Sequence, residues 1–191
     1  DNAKLIYVTP SHQFPTGAVL PLNRRLELLK WAERTGAMII EDDYDSEFRY
    51  SSLPIPALQG LSSGDSVIYI GTFSKVLFPA LRIGYVVVPE SLARVFARAR
   101  WIADRQTPTL EQRALADFIA EGHLERHLRR MRTLYDKRRQ ALVRALNLHF
   151  ENRVEIALHL GIDCLSDFDF VIAQLLNQFT KFHGEGFEKQ I

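Results

Sequence analysis

An α/β fold, with a mainly parallel sheet held between helices, is what this 191-residue chain predicts. Three observations lead to it. Short apolar runs recur at 4–9, 37–40, 67–70 and 83–88. A helix or a long connection separates each run from the next, as a parallel sheet covered on both faces requires. Acidic, hydroxyl and amine side chains stand directly beyond several of the runs, and ligands of open α/β sheets lie just outside the strands' C-terminal ends.

Taken in order, Lys4-Leu5-Ile6-Tyr7-Val8-Thr9 reads as a buried strand, and so direct an opening leads us to expect further sequence upstream. A turn-rich stretch from Pro10 to Gly17 follows. Leu22, Leu26, Leu29 and Trp31 form an apolar stripe of helical spacing, so a helix is expected from about Pro21 to Thr35. Gly36 should end it as a left-handed C-terminal glycine. Ala37-Met38-Ile39-Ile40 is a short strand running into Glu41-Asp42-Asp43. Val67-Ile68-Tyr69-Ile70 is a buried strand feeding Gly71-Thr72-Phe73-Ser74-Lys75, and Ile83 to Val88 is a fourth strand, stopped by Pro89.

The second half is helical, with segments expected at about 90–103, 109–121 and 123–148. The last carries Leu124, Leu128, Met131, Leu134, Tyr135, Leu142 and Leu146 on one side. Its many basic residues, among them Arg126, Arg129, Arg130 and Arg132, would suit a nucleic-acid surface. Glu125 and Asp136 interrupt them, and 24 Lys+Arg against 23 Asp+Glu leave a net charge of only +1, so a solvated helix face is the expectation. Cys164 is the single cysteine, which excludes an internal disulfide and a cysteine-rich metal site; no metal is expected. No apolar run reaches the roughly 18 residues of a membrane span, and Asp1-Asn2-Ala3-Lys4 lacks a signal-peptide apolar core, so a cytoplasmic protein with no membrane partner is expected.

Four positions carry chemistry. Lys75 lies five residues past a buried strand among small hydroxyl residues, although a lysine taken alone belongs on the surface. Asp42 ends the 37–40 run and Tyr44 follows it by two; a helix cap or loop role is the alternative for the aspartate. Arg82 precedes the fourth strand, near enough in sequence to share a phosphate with Thr72 or Ser74, or else to pair with Asp43 or Glu47. Pyridoxal 5'-phosphate (PLP) asks for this set: an amine for its aldehyde, an acid for the pyridine nitrogen, a donor for the phenolic oxygen, and hydroxyls with an arginine for the phosphate.

Three stretches carry a resemblance: Val8 to Gly17, Ile40 to Tyr50, and Gly71 to Lys75 running on to Leu81-Arg82-Ile83-Gly84-Tyr85. Pieces around His127–Arg132 and Ala157–His159 extend it to roughly residues 4–160. Together they resemble fold-type I PLP-dependent aminotransferases, and more closely the aminotransferase-like domain of the MocR subfamily of GntR transcriptional regulators. The resemblance implies that Lys75 forms the internal aldimine, Asp42 partners the pyridine nitrogen in competition with Asp43, and Tyr44 donates to the phenolic oxygen. Thr72, Ser74 and Arg82 would hold the phosphate, and Pro15-Thr16-Gly17 would line the cofactor's edge. Phe14 stands where many aminotransferases have an asparagine.

On this resemblance, residues 1–105 are part of the PLP-binding large domain, 106–160 a helical connection with the start of a smaller domain, and 161–191 an atypical tail, truncated or disordered. Val171 to Phe179 in that tail suits an amphipathic helix. A winged helix-turn-helix that binds DNA and the first part of the cofactor cradle would lie upstream, and a carboxylate-binding arginine downstream; here the last arginine is Arg153. The expected function is an effector-sensing domain that binds PLP covalently at Lys75 and takes up an amine or amino-acid effector by exchange of the imine, in a homodimer. The alternatives are a class I/II aminotransferase acting on an amino acid, and an incomplete fragment without activity.

Overall fold

The computed structural model describes residues 3–13, 16–48, 55–105 and 107–150. The readings for Phe14, Pro15, Arg49, Tyr50 and the sequence after Phe150, including the Val171–Phe179 helix, lie outside the described residues. The chain divides into two compact units, the first Asp1–Arg132 and the second beginning at Thr133.

The first unit holds a four-stranded sheet in the order β1 (Leu5–Val8), β2 (Met38–Asp43), β3 (Val67–Thr72), β4 (Gly84–Val87). β1, β2 and β3 are parallel, whereas β4 returns antiparallel to β3. The 11 intervening residues, 73–83, form no crossover helix long enough to bring the chain back to the starting edge. Mainly parallel is therefore right for three strands, and the sheet as a whole is mixed. Helix α1 (Leu22–Thr35) joins β1 to β2, and the short α2 (Leu58–Leu61) precedes β3. After β4 come α3 (Glu90–Asp104), α4 (Thr109–Ala120) and α5 (His123–Phe150), the last running across the boundary between the units.

α1 ends at Gly36, whose φ of 66° is left-handed and whose N–H bonds back to the Ala32 carbonyl. That reversal starts β2 within two residues. The register then sorts the side chains. Val8, Ile39 and Val67 face α1 and α2 and close a core with Leu29, Ala32 and Leu58. Burial of Ile39 and Leu58 contributes about 1.5–3 kcal/mol each. On the same face Glu41 is buried, accepting from the Leu58 and Gln59 amides at 2.9 and 3.0 Å. Buried Arg25 lies 3.9 Å from it and donates to the carbonyls of Leu20, Pro56 and Pro10. The strand thus continues through Glu41 to Asp43, three residues beyond the apolar run, with Glu41 satisfied inside the fold.

The opposite face carries Leu5, Tyr7, Ile40, Asp42, Ile68, Ile70, Thr72 and Val86; Ile68 is buried near its middle, and the face is open toward both edges. Leu5 is 55% exposed, Tyr7 59% and Val86 47%. This corrects one expectation: among the described residues the first strand is exposed or half-buried, not buried. Among the described residues β1 and β4 are the edge strands, and Ile68 is the one strand residue buried on that side.

Candidate functional site

The site is built where β2 and β3 end side by side, with Asp42 opposite Ile70 and Asp43 opposite Gly71. Alternation along a strand turns the two aspartates to different faces. Asp42 lies half-buried on the open face, where the Tyr7 hydroxyl donates to its Oδ2. That bond, with burial second, pushes the Tyr7 phenol up to about 12. Asp43 is buried on the helix-covered face. Its Oδ2 accepts from Ser46 Oγ at 2.7 Å and from the Tyr69 hydroxyl at 3.0 Å, and its Oδ1 is buried with no partner. Burial, then the charge of Asp43, raises the Tyr69 phenol far above its ordinary range.

Thr72 stands on the open face two residues past Ile70, the partner of Asp42. Its Oγ1 accepts the Ser74 N–H at 3.1 Å, which curls the chain as it leaves the strand. The Leu77 N–H then bonds to the Phe73 carbonyl at 2.8 Å, so Lys75 rides at the middle of a closed turn. Ser74 is buried and Lys75 half-buried. From α5, His127 Nε2 meets the Val76 carbonyl at 3.1 Å and ties the turn to the helix. Arg82 is exposed, with a left-handed φ of 49°, next to the bond from the Phe73 N–H to the Ile83 carbonyl at 2.9 Å. It borders a cleft of about 640 Å³ whose walls include Phe73, Tyr85, Trp101 and Arg105.

Tyr44 is turned differently. Its hydroxyl donates to the His12 carbonyl at 2.9 Å, and its ring stacks on His12, whose Nδ1 lies 2.6 Å from Asp45 Oδ2. The structure thus brings Asp42, Thr72, Ser74, Lys75 and Arg82 to one end of the sheet and commits the Tyr44 proton to the backbone. Sequence reasoning missed Tyr7, taken as core in an apolar run. The available signal was an aromatic hydroxyl among aliphatic residues.

As a chemical set, the end of β2 and the β3–β4 connection offer an acid on an open face, an amine, two hydroxyls and a guanidinium. That set fits PLP: acid for ring nitrogen, amine for aldehyde, hydroxyls and guanidinium for phosphate.

The fold is that of the fold-type I PLP-dependent aminotransferases. The α-aminoadipate aminotransferase LysN of Thermus thermophilus, solved in complex with N-(5'-phosphopyridoxyl)-L-leucine, superposes with a TM-score of 0.68 at 35% identity, over 74% of this chain and 37% of that one. The family model for aminotransferase class I and II matches residues 1–169, and the chain belongs to that family. Among its relatives are helix-turn-helix regulators, as the resemblance to the MocR branch implied. The Bacillus subtilis HTH-type transcriptional regulator YhdI is 48% identical over 81% of this chain and 33% of its own length. MocR of Rhizobium meliloti, named a probable rhizopine catabolism regulatory protein, is 48% identical over 81% of this chain and 31% of its own. The chain therefore spans about a third of the length of these relatives. Among the described residues no helix is long and apolar enough to cross a membrane.

Proposed function

We propose that this chain is the PLP-binding, effector-sensing part of a MocR-type transcriptional regulator, with Lys75 as its point of covalent attachment. The observation that carries the reading is the sorting at the end of β2: Asp42 faces the open side beside Thr72, while Asp43 is enclosed. When bound, PLP supplies an aldehyde that condenses with amines and a ring that withdraws electrons once its nitrogen is protonated. Lys75 provides the amine. Asp42 holds a proton at the ring nitrogen. The Thr72 and Ser74 hydroxyls and the Arg82 guanidinium bind the phosphate, the last by charge-assisted bonds. Tyr44 serves the phenolic oxygen, for which its hydroxyl must turn from the His12 carbonyl.

The regulators at 48% identity support a sensory role, in which a small amine or amino acid displaces Lys75 and DNA is bound by a separate domain of a homodimer. The likeness to LysN supports the second reading, an aminotransferase. Incubation with PLP should give a visible absorption band, and reduction with borohydride should fix the added mass on Lys75. A band that persists in Lys75→Ala would sink the proposal. Half-transamination with a panel of amino acids separates enzyme from sensor.

A further inference from the structure

We infer that Tyr7 is a positioning residue for Asp42: its hydroxyl fixes the carboxylate on the open face of the sheet so that the other oxygen meets the ring nitrogen of the ligand. This rests on the PLP reading above and adds a residue to that site.

The register carries the inference. Tyr7 pairs with Ile40, so Asp42, two residues on, lies on the same face at a diagonal. Two strand residues span about 6.6 Å, a diagonal within reach of an aromatic side chain. The hydroxyl closes that distance and donates to Oδ2. A carboxylate held through one oxygen cannot spin about its Cβ–Cγ bond, and Oδ1 is left as the acceptor for a second donor. The phenol keeps its proton through neutral and mildly alkaline pH, its ionisation pushed up to about 12, so it serves Asp42 as a donor throughout that range. A core role explains Tyr7 poorly, since among the described residues the side chain is 59% exposed and is held at its tip. Asp43 is the internal contrast. Its two hydroxyl donors, Ser46 and Tyr69, sit on the covered face, away from the Thr72 side.

The test is a four-protein cycle: the unaltered chain, Tyr7→Phe, Asp42→Asn and the double variant, each titrated with PLP and then with pH while the absorption of the bound cofactor is followed. Tyr7→Phe should weaken PLP binding by about five- to tenfold and move the pH profile of the bound band toward that of Asp42→Asn. In the Asp42→Asn background the same substitution should change neither. Equal effects in both backgrounds mean that Tyr7 acts on stability alone and overturn the inference, as does an unaltered pH profile. Failure of PLP to attach to Lys75 in the unaltered chain overturns the cofactor reading and this inference with it; attachment with an unaltered profile overturns this inference only. Tyr7→Phe keeps the ring on an exposed strand, and matching urea midpoints confirm that the variants are folded.

Discussion

Asp42 and Asp43 are neighbours in the chain and face opposite sides of the sheet, one toward Tyr7 on the open face and the other toward Tyr69 and Ser46 among buried groups. Substitutions at the two positions should therefore separate function from stability. Asp42→Ala is expected to abolish tight PLP binding with little change in the urea midpoint. Asp43→Ala strands two hydroxyl donors and should cost about 1–3 kcal/mol of stability. Comparable destabilisation by both, measured by urea unfolding, would contradict the sorting.

Gly71 is required by a contact. A Cβ built there would lie 2.4 Å from Cζ of Tyr85, the residue paired with it across β3 and β4. The Tyr85 ring also packs at 5.3 Å from Phe73 and 6.0 Å from Tyr69, which restricts its retreat. Gly71→Ala should destabilise the chain by about 1–3 kcal/mol. Adding Tyr85→Ala should then recover part of that loss, and strictly additive unfolding energies would show that the ring is not the obstacle.

Arg82 occupies a left-handed backbone conformation, φ 49°, which costs a residue with a Cβ about 1–2 kcal/mol. Arg82→Gly should leave the chain as stable as before or more so, while PLP or inorganic phosphate binds at least tenfold more weakly. Isothermal titration together with urea unfolding reads both quantities. Loss of stability without loss of affinity would reassign Arg82 to a structural role.

Glu47 gives a pH dependence of defined sign. Burial raises its carboxyl above the ordinary 4.5, the charges of Asp43 and Asp45 add to this, and Arg132 opposes it. The folded state therefore binds the Glu47 proton more tightly than the unfolded state. The stability from this group is fully present below pH 4.5 and is lost as pH rises through the raised value. Moving from neutral pH down toward 4.5, the unaltered chain should gain stability relative to Glu47→Gln. Parallel curves of urea midpoint against pH for the two proteins would refute it.

Much of the fold was legible because its signals are local. The stripe of Leu22, Leu26 and Leu29, with Gly36 behind it, gave α1 to within a residue. The four apolar runs gave four strands in their places. Their extents and exposure were not legible. Apolarity does not report which face is covered, so Leu5 and Tyr7 read as core although both are exposed. The run of three acids looked like the end of a strand, because Arg25, which buries against Glu41, is 16 positions away in sequence. The candidate site divides in the same way. Lys75, Thr72, Ser74 and Arg82 stand in one contiguous stretch, whereas the partner of Asp42 is Tyr7, on another strand 35 residues earlier.

The antiparallel return of β4 has a further consequence. Thr72 and Gly84 face each other across the sheet, and the Phe73–Ile83 bond closes the connection just beyond them. Lys75 and Arg82 thus belong to a single noose of chain with a fixed neck. With its two ends held together at that neck, a noose taken from a relative and joined between Thr72 and Gly84 should leave the register of the four strands in place. Amine and guanidinium therefore travel together on one segment, while Asp42 stays behind on β2.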